Sequence, residues 1–250
     1  MSCRDSIRSE RLRGVDLYRS VLKNKRRSGI LYIGVLYYNH HQGNKEGFYM
    51  LSKQYERIGS FLFHDVLKIF IIFLCVFIFL GFASMFAVMM LPYNIVNEAV
   101  EEIQQGMQSV LSDGLTWGGI TIHNIYATLV GTCLGFVPFL FLPTLNLGIN
   151  SITIGAIMGY IHISGQSALK MFVRGIIPHG IFEIPAVILS CSVGFLICLT
   201  LVRAILGRIG APKVKQIILD SLRTYVLVIL PLLIIAGFIE AKITPLLIQL

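Results

Sequence analysis

The sequence predicts an all-α fold, a polytopic transmembrane helical bundle of about five spans with an amphipathic helix in an outer loop. Three observations predict it. Of 250 residues, 55% are hydrophobic and only 14% are charged, whereas about a quarter of a soluble domain is charged. Residues 114 to 169 contain no Asp, Glu, Lys or Arg, and a span needs only about 20 apolar residues, so this block holds two spans and a turn. Finally, 13 of the 21 Lys and Arg residues precede residue 69, and most of the others fall between Arg203 and Arg223. The net charge of +8 therefore reads as cytoplasmic flanks rather than as a nucleic-acid-binding face.

The first 49 residues differ from the rest. Nine Arg or Lys lie in the first 27 positions, followed by the apolar run Gly29 to Tyr38, which is too short to span. No small-residue cleavage site follows that run, which argues against a signal peptide. Met50 opens a stretch that reads as an ordinary membrane-protein start. The expected division is a basic N-terminal segment, 1–49, either poorly ordered or not native, and a transmembrane helical domain, 50–250.

Five apolar runs follow. Ile69 to Leu91 is uncharged and ends at Pro92, which cannot continue a helix without losing a hydrogen bond. Runs two and three, Asn124 to about Leu142 and about Asn146 to Ile163, share the uncharged block and part near Pro143. Run four extends from Pro178 to Val202, and run five from Thr224 to Ile239. With the N-terminus cytoplasmic, residues 92–122 lie outside and carry Glu98, Glu101, Glu102 and Asp113 without Lys or Arg. Run three must cross, because only then do Arg203, Arg208, Lys213, Lys215 and Arg223 stay inside. The expectation is a multi-pass cell-membrane protein, N-terminus cytoplasmic and C-terminus extracytoplasmic.

The outer loop is itself patterned. Val96, Val100, Ile103, Met107 and Val110 recur at helical spacing, and acidic residues in the early turns suit the helix dipole. Surface helices that bind lipid usually carry Lys and Arg, so this one is expected to pack on its own bundle, with a partner-docking surface as the alternative. Trp117 suits a membrane interface. Cys3, Cys75, Cys133, Cys191 and Cys198 have no metal-ligand spacing, and four sit in apolar runs, so they read as small core hydrophobes.

Small residues at four-residue spacing, Gly131 with Gly135 and Gly155 with Gly159, let helix backbones approach closely where lipid supplies little hydrophobic drive. Packing within the chain is the favoured reading, a homo-oligomer interface the other. The polar residues say more. A carboxylate in hydrocarbon costs upward of about 2.5 kcal/mol, so Glu183 needs a partner or water. His179 lies one turn before it on the same face. Gly180 keeps that face open, and Pro185 frees a carbonyl and predicts a kink. Topology places His123, Asn124, His162 and Glu240 in the same outer half.

The candidate site is thus an intramembrane polar cluster of His179, Glu183, His123, Asn124 and Glu240. It admits three readings: a structural network, a peptide, ion or proton site, or a metal site. Two His and a carboxylate suit zinc, which can activate water. However, the His-to-Glu pair lacks the second ligand and base of a zinc-protease helix, and no nucleophile motif, phosphate loop or nucleotide fingerprint is present. No catalytic residue and no cofactor are expected, with zinc as the exception to test. Asn146 and Asn150, at the inner end of run three, suit a structural role as caps or interhelical hydrogen-bonders.

The run Pro178-His179-Gly180-Ile181-Phe182-Glu183-Ile184-Pro185-Ala186 resembles the hallmark segment of the stage II sporulation protein M family. The stretches Asn146 to Gly155 and Gly237-Phe238-Ile239-Glu240-Ala241 are similar to its other recurrent segments. The resemblance covers about residues 50 to 250 and leaves the basic first 49 unexplained. It implies a helical membrane protein without enzyme activity. The namesake acts with cell-wall hydrolases in sporulation, while relatives in circular bacteriocin clusters are linked to peptide maturation, export or immunity. The first expectation is therefore a scaffold organising partners such as cell-wall remodelling enzymes. The alternatives are a component handling a hydrophobic peptide, which needs a transport ATPase or an ion gradient because no ATP motif is present, and an intramembrane metal-dependent hydrolase. Expected partners are the lipid bilayer and proteins, not nucleic acid.

Overall fold

A computed structural model describes residues 51–101 and 116–249. Arg57–Leu250 forms one compact unit, the helical bundle. All regular structure among the described residues is helical. The long helices are α1 (Leu51–Met89), α3 (Trp117–Cys133, tightened into a 3₁₀ turn over Leu134–Phe136), α4 (Pro143–Ile163), α5 (Ala168–Ile205) and α6 (Ala211–Gln249, turned at Ile243). A short helix, α2, occupies 93–101. Four of them, α1, α4, α5 and α6, are long and apolar enough to cross a membrane, and α3 with its 3₁₀ turn supplies the fifth rod of the bundle.

Their ends differ from the hydropathy expectations for physical reasons. Run two begins earlier, at Trp117, because the Thr116 hydroxyl accepts the Gly119 N–H and caps the helix. It stops at Phe136 and not near Leu142, since Pro138 cannot donate. The connection then turns through Phe139 and Phe141, whose φ values of 69° and 48° are uncommon for bulky residues. Pro143, at the first turn of α4, occupies a position where no N–H is needed. Run four gains ten residues before Pro178, capped by Ser167 accepting from Lys170 N–H. Run five gains the more polar stretch 211–223 before Thr224.

Three widened π turns interrupt the long helices, at Leu62–Val66, Phe172–Ile176 and Tyr225–Ile229. The second and third end two residues before Pro178 and Pro231. Each proline lacks an N–H and crowds the carbonyl four residues back, which falls inside the widened turn. Pro185, by contrast, is carried within α5.

α5 is the central helix, with 72% of its most apolar window buried, against 28% or less in α1, α4 and α6. Its small residues explain this. Ala186, Ser190, Cys191, Ser192, Gly194 and Cys198 let neighbours come close, and Ser190 and Ser192 donate to the carbonyls of Val187 and Ile188 on their own helix. Gly135 and Gly194 meet backbone to backbone between α3 and α5, where a Cβ on Gly135 would lie 2.6 Å from the Gly194 carbonyl carbon. Gly131 faces Asn146, Cys191 and Ser190. A Cβ on Gly155 would fall on the Gly81 carbonyl and the Ser84 hydroxyl of α1, and one on Gly159 would lie 2.7 Å from the Met85 carbonyl. Ser84 donates to the Ile152 carbonyl across this seam. Both glycine pairs thus contact other helices of the same chain.

Cys191 and Cys198 are buried, but Cys75 and Cys133 are exposed on the bundle's flank, which corrects their reading as core residues. The near end of the bundle holds Arg57, residues 137–142 and the turn after Ile205; the far end holds α2, residues 164–167 and the end of α6. In α2, Val96 is buried, and Asn97 accepts from Tyr160 of α4 at 3.0 Å while Tyr93 stacks on the same ring. Glu98 and Glu101 point outward. The rest of the expected outer helix, like residues 1–49, lies outside the described residues.

Candidate functional site

A cavity of about 570 Å³ opens among α1, α3, α4, α5 and α6 toward the far end. Its walls are apolar, from Phe77, Ile154, Ile184 and Val187 among others, and its polar lining is Asn124, Asn150, His179, Glu183, Glu240 and Thr244. Each helix contributes for a local reason. On α5, His179 and Glu183 share a face because four residues make about one turn; Nε2 of the imidazole stands 3.8 Å from Glu183 Oε2. On α6, Glu240 and Thr244 repeat that spacing. Thr244 Oγ1 lies 3.3 Å from His179 Nδ1, tying the imidazole to α6. The donor atoms of His179, Glu183 and Glu240 lie within 4.8 Å of one another.

α3 brings Asn124 to the cavity through a hydroxyl stripe, Thr121, Asn124, Thr128 and Thr132, buried on one side of the helix. Thr128 donates to the Asn124 carbonyl and meets the Tyr225 hydroxyl at 3.1 Å. Tyr225 in turn donates to the Ile125 carbonyl. Asn124 is only 9% exposed, and its Nδ2 has no hydrogen-bond partner. Burying an amide donor unpaired costs about 1–3 kcal/mol. Thr121 Oγ1, one turn away and also unpaired, sits against Gly237 of α6. Asn124 lines the cavity that Glu240 also lines, whereas Thr121 is not part of that lining.

Of the residues singled out from the sequence, His179, Glu183, Asn124 and Glu240 come together. His123 does not. Neighbouring helical residues point about 100° apart, so His123 is exposed on the flank while Asn124 is buried. His162 is also exposed and outside the cavity. Asn150 lines the cavity and donates to the Asn146 carbonyl, one turn back on its own helix, at 2.8 Å. Thr244 was missed, since a hydroxyl near a helix end carries no charge signal.

Sequence reasoning also missed Asp220. It is 3% exposed at the near end of α6, far from the cavity, and is held by Arg57 and Arg223. Its surroundings, rich in Lys and Arg, lie before the apolar run that the hydropathy marks.

Chemically, the cavity concentrates carboxylates and an imidazole in an apolar surround. Thr244, His179 and Glu183 form a hydroxyl, imidazole and carboxylate in a row, but the 3.8 Å His-to-Glu separation exceeds a hydrogen bond and does not lock the ring as an acyl-transfer triad requires. The arrangement suits holding a positive charge better than activating a nucleophile.

The family model described as Stage II sporulation protein M matches residues 69–245, which include every polar residue of the cavity. An uncharacterised protein of Methanocaldococcus jannaschii is 31% identical over 146 residues, 58% of this chain and 75% of that protein. A second uncharacterised protein of the same archaeon is 37% identical over 102 residues, 39% of this chain and 47% of its own length. No solved structure matches the chain significantly.

Proposed function

The chain belongs to the stage II sporulation protein M family, and on that premise we propose that it is a non-catalytic membrane assembly protein whose far-end cavity takes a positively charged guest. The carrying observation is the convergence of Glu183, Glu240 and His179 from two helices onto one cavity, beside an amide donor that the bundle leaves unpaired. A purely structural network would be expected to satisfy its own members, because each unpaired buried polar group costs free energy. The basic residues Arg57, Arg208, Lys213, Lys215 and Arg223 gather toward the near end, and Glu98 and Glu101 lie at the far end. By the positive-inside rule the near end is cytoplasmic and the cavity opens toward the outer surface.

In this role the protein organises partners such as cell-wall remodelling enzymes at the bilayer. The second reading, handling of a hydrophobic peptide, is favoured by the apolar cavity walls. Complementation tests the site. Glu183→Gln preserves size and hydrogen bonding and removes the charge, so folded, inserted protein should accumulate normally while function is lost. Full complementation by this variant would leave no role for the cavity. Genes beside the coding sequence separate the two readings: cell-wall hydrolases fit the assembly role, and a small hydrophobic peptide with a transport ATPase fits the other.

A further inference from the structure

We propose that His179, Glu183 and Glu240 bind one divalent metal ion of the zinc class, so that the guest of the cavity is a metal; this rests on the reading of the cavity as a cation site. Zinc takes imidazole nitrogen and carboxylate oxygen at about 2.0–2.2 Å, which puts neighbouring ligand atoms about 3.4 Å apart. The three donors already lie within 4.8 Å of one another, and the His179–Glu183 pair is at 3.8 Å. Closing the set from at most 4.8 Å to about 3.4 Å asks the donor atoms to approach by about 1.4 Å or less.

The surroundings supply what the three donors lack. Thr244 Oγ1 contacts Nδ1 of His179 at 3.3 Å. With Nδ1–H donating to this hydroxyl, the Nε2 lone pair is left for the metal, as in the outer-shell contacts that orient ligating histidines. Asn124, nine-tenths buried with Nδ2 unpaired, lines the same cavity. It can donate to the non-ligating oxygen of a carboxylate or to a water in the fourth position. Two carboxylates and one imidazole also offset the charge of a divalent ion in an apolar setting, where an uncompensated charge is costly.

The test uses the full chain, purified in detergent through a tag without histidine, treated with chelator and reloaded with Zn²⁺ or Co²⁺. The expected result is one ion per chain by mass spectrometry of the metal and a tetrahedral-type visible spectrum with Co²⁺. Glu240→Gln and His179→Ala should each weaken binding by more than tenfold, and Thr244→Val by about tenfold. The double variant His123→Ala with His162→Ala, both on the outside, should bind like the parent. Size-exclusion profiles and thermal melting confirm that each variant is folded.

Binding that survives Glu240→Gln, or that disappears with His123 and His162, would place the metal elsewhere and overturn the proposal. No bound metal in the parent, together with loss of complementation in Glu183→Gln, would also overturn it and assign the cavity to an organic cation such as a peptide amine. No metal with full complementation would remove both readings.

Discussion

Arg57 and Asp220, 163 positions apart in the sequence, meet at the near end of the bundle, Nε donating to Oδ1 at 2.7 Å and Nη2 to Oδ2 at 3.3 Å. Arg223 donates to the same Oδ1 at 2.6 Å. The Asp220 side chain is 4% exposed, whereas Arg57 is 46% exposed. The aspartate is therefore the group that depends on the arrangement. The double variant Arg57→Met with Arg223→Met should destabilise the protein by about 3 kcal/mol, since it leaves a buried carboxylate with no compensating charge. Arg57→Met should cost no more than about 1 kcal/mol, because the arginine is half in solvent and Arg223 remains. Thermal unfolding in detergent measures both; equal effects would show that Arg223 contributes nothing.

At the α1–α4 seam, Gly155→Ala should already lower stability by about 1–3 kcal/mol, because its Cβ meets backbone and must push the helices apart. Ala83→Leu, which adds bulk at an exposed position of α1, is the control and should change little. Ser192 would be a poor control, being fully buried in α5. Folded yield and melting temperature report the difference, and similar losses in both variants would make the glycine incidental.

Asn124→Leu separates stability from function. The variant removes a buried donor that has no partner in the bundle, so stability should hold or rise by up to about 1 kcal/mol. Complementation should fail, because the cavity loses its amide. Thr128→Val, which breaks a satisfied contact with Tyr225, should show the reverse pattern, with a stability loss of about 1 kcal/mol and function retained. Matching outcomes in the two variants would count against a ligand role for Asn124.

Orientation is tested by cysteine accessibility after the native cysteines are replaced. Gln166→Cys, in the exposed turn between α4 and α5, should react with a membrane-impermeant thiol reagent in intact cells. Gln216→Cys, exposed on the near part of α6, should react only after permeabilisation. The opposite pattern would put the cavity on the cytoplasmic side.

The bundle was legible because hydropathy and charge segregation depend only on composition along the chain. His179 and Glu183 were legible as a pair because four-residue spacing fixes a shared face on any helix. Glu240 and Asn124 followed from alternating crossings, which bring corresponding helix ends together. His123 fails where crossing order says nothing about rotation about the helix axis. Asn150 and Thr244 depend on how deeply the cavity runs between α4 and α6, which no local pattern encodes. Asp220 is a long-range pairing with Arg57, and α6 starts earlier than hydropathy indicates because Lys213, Lys215 and Arg223 depress the average there. The hydroxyl stripe on α3 stayed hidden because threonine side chains are close to neutral in hydropathy and leave no charge signal.

The widened turn at Phe172–Ile176 divides α5 into two independently phased pieces. Such a turn is an ordinary helix with one residue inserted. Removing one residue from it would restore α geometry and leave everything from Ile177 onward in register, His179 and Glu183 included. The residues before it would swing by about 100° around the axis, taking Met171 away from the cavity wall that it now helps to form. The donors and Met171 are thus on separate genetic adjustments: a single-codon change in length moves that part of the wall and spares the donors, an alteration that point substitution cannot make in one step.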